Sequence, residues 1–166
     1  IAVNVSPSQF RSSGIVEQVK RALGDTGLNA SRLVLEVTEN VLMTSQSIAT
    51  RVMDDLTALG VKLALDDFGT GYSSLSYLQR YAFSKVKIDR SFVAGIESKP
   101  ANTAIIRAII RLAADLGMDV VAEGIESEHQ AALLRAEGCE LLQGYLFGRP
   151  RPFVDICADL ALHNLQ

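Results

Sequence analysis

Six short runs rich in Val, Ile and Leu punctuate the chain, and each gives way to a stretch with helical periodicity. The runs are "IAVNVS" (1–6), "RLVLEVTE" (32–39), "VKLALDDFG" (61–69), "KVKIDRSF" (85–92), "MDVVAEGIE" (118–126) and "CELLQGYLFG" (139–148). They are too short to stand as helices and are predicted as strands. Between them, Ile15–Leu23, Ile48–Leu59, Ala104–Leu116 and His129–Ala136 repeat apolar residues every three to four positions. Val154–Leu165 is predicted as a last helix after the turn "RPRPF". Gly27, Gly60, Gly117 and Gly138 each follow the last periodic residue of a helix, where a left-handed position commonly ends it.

Strands alternating with helices imply a parallel sheet with right-handed crossovers. An open doubly wound sheet and a (β/α)8 barrel both fit. The polar positions choose between them. Asn4, Glu36, Asp66 with Asp67, Asp89, Glu123 and Gln143 all fall toward the carboxyl ends of their runs. A barrel gathers those ends into one mouth, whereas an open sheet spreads them along a line. The expectation is an α/β, TIM-type (β/α)8 barrel, here incomplete, with about six βα units in one domain. Six units fall short of the eight in a barrel of about 250 residues.

Composition narrows the function. The 166 residues are 48% hydrophobic with a formal charge of −3, enough for one substantial core. No basic block gives a footprint for DNA. Cys139 and Cys157 have no metal or redox spacing and sit in apolar, periodic surroundings, so both are expected as buried or half-buried thiols in a reducing, cytoplasmic protein. No apolar run approaches the ~18 residues of a membrane span, and no signal peptide is visible. The chain opens at Ile1 inside a strand-like run, which reads as a piece of something longer.

The chemistry concentrates in "LALDDFGTGYSSL" (63–75), where a buried strand ends on two adjacent carboxylates. Two carboxylates about 5 Å apart repel by roughly 3 kcal/mol at an effective dielectric of about 20, so water or a cation must offset them. Strand alternation puts Asn4 on the face of Ala2, Glu36 on that of Val34, Asp66 on that of Ala64 and Glu123 on that of Val121. Asp67 has the opposite parity, but lies where the strand bends. This donor set is oxygen only, which suits Mg2+ or Mn2+ rather than zinc. His129 and His163 fall in helical segments away from the mouth. Each residue also has a plainer reading. Asp66–Asp67 can cap a helix or turn, Lys87 can be a solvated strand-end lysine, Asn4 can satisfy a strand end, and Glu123 or Glu126 can cap the helix near Ser127. Phe10, Tyr72, Tyr77 and Phe83 are read as packing residues before guanine platforms.

The motifs "NVSPSQF", "LEVTEN", "LALDDFGTGYSSLSYLQRYAFSKVKIDRSFV", "VVAEGIES" and "QGYLFGRP" occur in the order of a known family. The chain resembles the EAL domain, the cyclic-di-GMP phosphodiesterase of bacterial signalling proteins, over essentially its whole length. The resemblance implies a two-metal site in which Asn4, Glu36 and Asp66 bind one Mg2+ or Mn2+, and Asp66, Asp67 and Glu123 the second. It implies that Lys87 contacts the attacking water, that Asp89 orients that network, and that Glu39 anchors the "DDFGTGYSS" loop. Glu126 and Gln143 would close the site around water or substrate. Water held between the metals would open one phosphodiester of cyclic-di-GMP in line, giving linear pGpG.

No Glu-Ala-Leu tripeptide occurs in the 166 residues. The resemblance therefore implies an EAL domain over 1–166 that lacks its first two strands, its naming motif and one metal-ligating glutamate. The six runs become strands three to eight. The expectation is an active parent enzyme whose fragment is inactive or impaired. The alternative is a non-catalytic cyclic-di-GMP receptor or a dimerisation module. The implied partners are cyclic-di-GMP, a second copy through the Asp67–Tyr77 loop or the open barrel edges, and an upstream sensory or GGDEF domain; a membrane tether on the parent is left open.

Overall fold

The computed structural model describes residues 1–11, 14–43, 46–69 and 75–157. Six strands form one sheet in the order of the chain, and every neighbouring pair is parallel. They are β1 (Ala2–Asn4), β2 (Val34–Thr38), β3 (Lys62–Phe68), β4 (Lys85–Ile88), β5 (Asp119–Ala122) and β6 (Leu141–Leu142). A doubly wound sheet reverses its strand order at a switch point. This order runs one way only, as a barrel's does, and among the described residues no strand closes the sheet between β1 and β6.

Helices cover one face of this sheet. The longer ones are α2 (Ile15–Thr26), α4 (Gln46–Ala58), α7 (Pro100–Asp115) and α8 (Glu128–Ala136). Each buries the stripe its sequence predicts: Ile15 and Val19 from α2, Ala49, Val52, Met53 and Leu56 from α4, Ile106, Ile109 and Ala113 from α7, and Ala131 and Leu134 from α8. Pro100 opens α7, where its missing N–H costs nothing. Gly27, Gly60, Gly117 and Gly138 all take positive φ, as expected of helix terminators.

Burial along β2 shows which face is covered. Leu35 and Val37 are buried against the helices, while Val34, Glu36 and Thr38 on the other face are half-buried. Burying side chains such as Leu35 and Val37 stabilises the fold by about 1.5–3 kcal/mol each. The inner face would be closed in a complete barrel, and here it is partly open.

Several boundaries differ from the sequence expectation. The run 85–92 is strand only to Ile88, because Asp89 caps a short helix, α6 (Arg90–Ala94), by accepting from the Ser91 N–H at 2.9 Å. The run 139–148 yields only the two-residue β6, which pairs with one neighbour and then turns at Gly144. The run 118–126 is strand only to Ala122 and turns at Gly124, whose φ is 70°. Three further short helices carry too few residues for a visible period: α1 (Pro7–Arg11), α3 (Glu39–Met43) and α5 (Leu75–Arg80). Residues 153–157 are helical, while 158–166 of the expected last helix lie outside the described residues. Cys139 is buried as expected, but Cys157 is exposed. Among the described residues no helix is long and apolar enough to cross a membrane.

Candidate active site

The carboxyl ends of β2 to β5 bring one lysine and four acids together. Register places Asn4 beside Glu36 and Glu36 beside Ala64, two residues before Asp66. Between β3 and β4 the register slips between Leu65 and Phe68, and Asp67 takes φ 54°. It is the one residue other than glycine with positive φ among those described. A residue inserted this way makes a bulge, so the ordinary alternation of faces breaks at this position. Asp67 thereby joins Asp66 and Glu123, the three offering carboxylate oxygens within 4.8 Å of one another.

Lys87 rises from β4 into the middle of the group. Its Nζ lies 2.6 Å from Glu36, 3.1 Å from Asp66 and 2.6 Å from Glu123. Lys87, expected as a contact for water, is thus paired directly with three of the expected metal ligands, and it is not a solvated strand-end lysine. Burial alone would lower its ammonium pKa. Hydrogen bonds to Glu123 and Glu36, with the charges of Glu123 and Asp66, outweigh that and hold it above 10.5.

One ammonium cannot neutralise three carboxylates. Burial pushes the Glu123 carboxyl up, Lys87 pulls it back, and the charges of Asp66 and Glu36 push it up again, leaving it raised. Asp67 is raised by burial first and then by the charges of Asp66 and Asp89, against Lys87 and Arg90. The site holds surplus negative charge in an oxygen-only shell, the chemistry that accepts a hard divalent cation.

The remaining expected residues surround this cluster. Asn4 is exposed at the end of β1. Glu39 is buried, and its Oε1 accepts from the Gly69 N–H at 3.2 Å, joining the end of β2 to the exit of β3. Residues 70–74 of the loop that follows, Tyr72 included, lie outside the described residues, so the segment 67–77, expected to carry a dimer contact, is itself described only at its ends. Asp89, Glu126 and Gln143 line a cleft of about 900 Å3 together with Asp67 and Glu123. Neither Glu123 nor Glu126 caps α8. Ser127 does, in a reciprocal capping box with Gln130.

Sequence reasoning missed Arg90, Gln130 and Tyr145 in this cleft. Their only signal was adjacency: Arg90 follows Asp89, Tyr145 lies two residues after Gln143, and Gln130 sits one turn into α8. Arg149 stacks over the Tyr145 ring at 4.4 Å from its centroid. Phe10 and Phe83 are core residues and Tyr77 stacks on Tyr81 at 6.3 Å; among the described residues the aromatic ring lining the cleft is the exposed Tyr145. His129 is exposed on α8, and His163 lies outside the described residues.

Residues 1–150 match the family model of the EAL domain. The chain belongs to the EAL domain family. The bifunctional diguanylate cyclase/cyclic di-GMP phosphodiesterase MucR of Pseudomonas aeruginosa is 44% identical over 161 residues, covering 97% of this chain and 24% of MucR. The solved structure of the PaMucR phosphodiesterase in complex with c-di-GMP matches with a TM-score of 0.89 at 44% identity, over 94% of this chain and 63% of that one. A manganese/cy-diGMP complex of Klebsiella pneumoniae BlrP1 matches with a TM-score of 0.84 at 37% identity, over 90% of this chain and 38% of BlrP1. This EAL chain thus spans about a quarter of its curated relative. Its curled six-stranded parallel sheet is an incomplete TIM-type barrel of the EAL fold.

Proposed function

We propose that this EAL domain hydrolyses cyclic-di-GMP to linear pGpG. The observation that carries the reading is the convergence of Asp66, Asp67 and Glu123 within 4.8 Å, beside an open cleft, at the carboxyl ends of barrel strands in an EAL chain. The cyclic-di-GMP complex of a 44% identical relative supports the choice of nucleotide.

The cluster of Asp66, Asp67 and Glu123 fits a hard divalent cation, and the reading extends this to a pair of Mg2+ or Mn2+ ions. Asn4, Glu36 and Asp66 would hold one, and Asp66, Asp67 and Glu123 the other. Such cations polarise a phosphoryl oxygen and lower the pKa of water. The chain's own residues supply positioning. Lys87 presents an ammonium at the cluster, where it can hold water or a phosphate oxygen. Asp89 fixes the start of α6 and lends its charge beside Asp67. Glu39 fixes the exit of β3 through Gly69, and thereby the position of Asp67. Glu126 and Gln143 form the cleft wall, where their polar groups can orient substrate and exclude stray water.

The domain works as the phosphodiesterase module of a cytoplasmic signalling protein, with a diguanylate cyclase or sensory domain as its partner, as MucR's name joins both activities. The isolated 166-residue chain is the weaker enzyme, because its sheet is open between β1 and β6 and it contains no Glu-Ala-Leu strand. The test is chromatography of cyclic-di-GMP incubated with the chain and Mn2+, beside an Asp66→Asn control. The expected result is slow pGpG formation that the control abolishes and that the full-length protein accelerates. Full-length protein that binds cyclic-di-GMP without opening it would make the domain a receptor.

A further inference from the structure

An ammonium has three N–H donors and no acceptor. Lys87 Nζ lies 2.6, 3.1 and 2.6 Å from oxygens of Glu36, Asp66 and Glu123, with its side chain 5% exposed. It donates a hydrogen bond to Glu36 Oε2 and lies within ion-pair distance of Asp66 and Glu123, so three carboxylates crowd an ammonium that is almost closed to solvent. An ammonium held among three acids turns toward water or a phosphate oxygen more readily once they hold it less strongly. The same acids are the ones that would ligate cations. A dication placed among them would repel the ammonium and take the electron pairs that hold it. Each carboxylate has a second oxygen, so the two arrangements do not exclude each other outright, but ammonium and cation compete for the same negative charge.

We infer that Lys87 is the resident counter-ion of Glu36, Asp66 and Glu123, that divalent cations compete with it for these carboxylates, and that cation binding frees its N–H groups toward the substrate side. The inference rests on the two-metal reading above. It explains how acids that would otherwise repel one another stay gathered on three neighbouring strands before any cation arrives. It also makes cation affinity a difference between two occupants rather than a property of the carboxylates alone.

Two readouts independent of turnover test it. In wild-type protein labelled with 15N-lysine, the buried Lys87 ammonium gives a slowly exchanging NMR signal in EDTA, assigned by its loss in Lys87→Arg. Titration with Mg2+ alone must shift that signal and speed its hydrogen exchange, with the midpoint of calorimetric Mg2+ binding. In Lys87→Met at about pH 8, Mn2+ binds about tenfold more tightly than to wild type, because a competing positive charge is gone. The same variant melts lower than wild type in EDTA, and saturating Mn2+ closes most of that gap. A role in folding alone predicts a lower melting temperature with unchanged or weaker Mn2+ binding.

An unmoved Lys87 signal at saturating Mg2+ overturns the proposal, as does the absence of any Mg2+ or Mn2+ binding. So does unaltered Mn2+ affinity in a folded Lys87→Met. If that variant does not fold, the NMR titration of wild type decides. Failure of wild type to open cyclic-di-GMP would sink the hydrolase reading while leaving the Mg2+ response of Lys87 intact, so the two failures are distinguishable.

Discussion

Asp66 and Asp67, adjacent on one strand, offer their carboxylates to the same site, because Asp67 takes φ 54° where the β3–β4 register slips. The Asp67 N–H also donates to its neighbour's Oδ1 at 3.0 Å. The conformation and the charge at this position both oppose folding in the absence of a cation. Asn tolerates left-handed backbone and carries no charge. Asp67→Asn is therefore expected to stabilise the metal-free protein while lowering turnover of cyclic-di-GMP by about a hundredfold or more. Denaturation in EDTA and an activity assay of the full-length protein check both halves. A variant that loses activity and stability together would contradict this account.

The same residue sets a pH dependence. Burial and the charges of Asp66 and Asp89 raise the Asp67 carboxyl above its ordinary 3.8. A raised acid holds its proton more tightly in the folded state, so its contribution to stability falls as pH rises from about 3.8 through the folded value. Asn has no proton to lose. The stability advantage of Asp67→Asn over wild type should open with rising pH across that window and then level off. Urea unfolding of the metal-free proteins between about pH 3.5 and 7 measures it, and a constant difference over that range would count against the argument.

Glu39 ties two strand ends together through the Gly69 amide. Glu39→Ala leaves that N–H without its acceptor and should cost about 1–3 kcal/mol of stability. Positioning partners of metal ligands typically affect affinity or activity by about 10- to 100-fold, and a loss in that range is expected here. Glu39→Gln keeps an acceptor oxygen and should recover most of the stability. Equal losses in both variants would show that the negative charge, rather than the hydrogen bond, is what matters.

Gly144 stands where two backbones meet. A Cβ there would lie 2.2 Å from both the N and the O of Ile125. The bonds it would push apart are Ile125 N–H to Gln143 O and Leu146 N–H to Ile125 O. Gly144→Ala should destabilise the fold by about 2 kcal/mol or more and displace Gln143 and Tyr145 from the cleft. A wild-type melting temperature in this variant would mean that the strand end gives way at little cost.

Arg107 of α7 grips Glu137, just past α8, with two hydrogen bonds of 2.6 and 2.7 Å. The Arg107 hydrogen bond holds the Glu137 carboxyl below its ordinary 4.5 despite some burial. A depressed acid contributes stability above that value and loses it as pH falls through the folded one. Arg107→Ala should therefore lower the melting temperature slightly at neutral pH, less in high salt, and not at all in strong acid. Melting curves at the two pH extremes decide it.

The strands, the longer helices and the glycine terminators were legible because local periodicity and backbone preference act within a few residues. The short helices and the ends of β4, β5 and β6 were not, since a cap at Asp89, a turn at Gly124 and close contact at Gly144 outweigh apolar pattern there. In the site, the sequence supplied the acids and their faces, but not their partners. Arg90, Gln130 and Tyr145 carried no pattern of their own and became visible only when the cleft brought them beside Asp67 and Glu123.

By itself, then, the sequence determined the repeating βα plan, the gathering of oxygen donors at the strand ends and the family. Only the tertiary structure decided that Asp67 turns onto the face of Asp66, and that Lys87 pairs with Glu36, Asp66 and Glu123. Face and period are set along one strand, whereas a bulge depends on the neighbouring strand's register. An ion pair between residues 51 positions apart, such as Glu36 and Lys87, depends on the packing of the whole sheet.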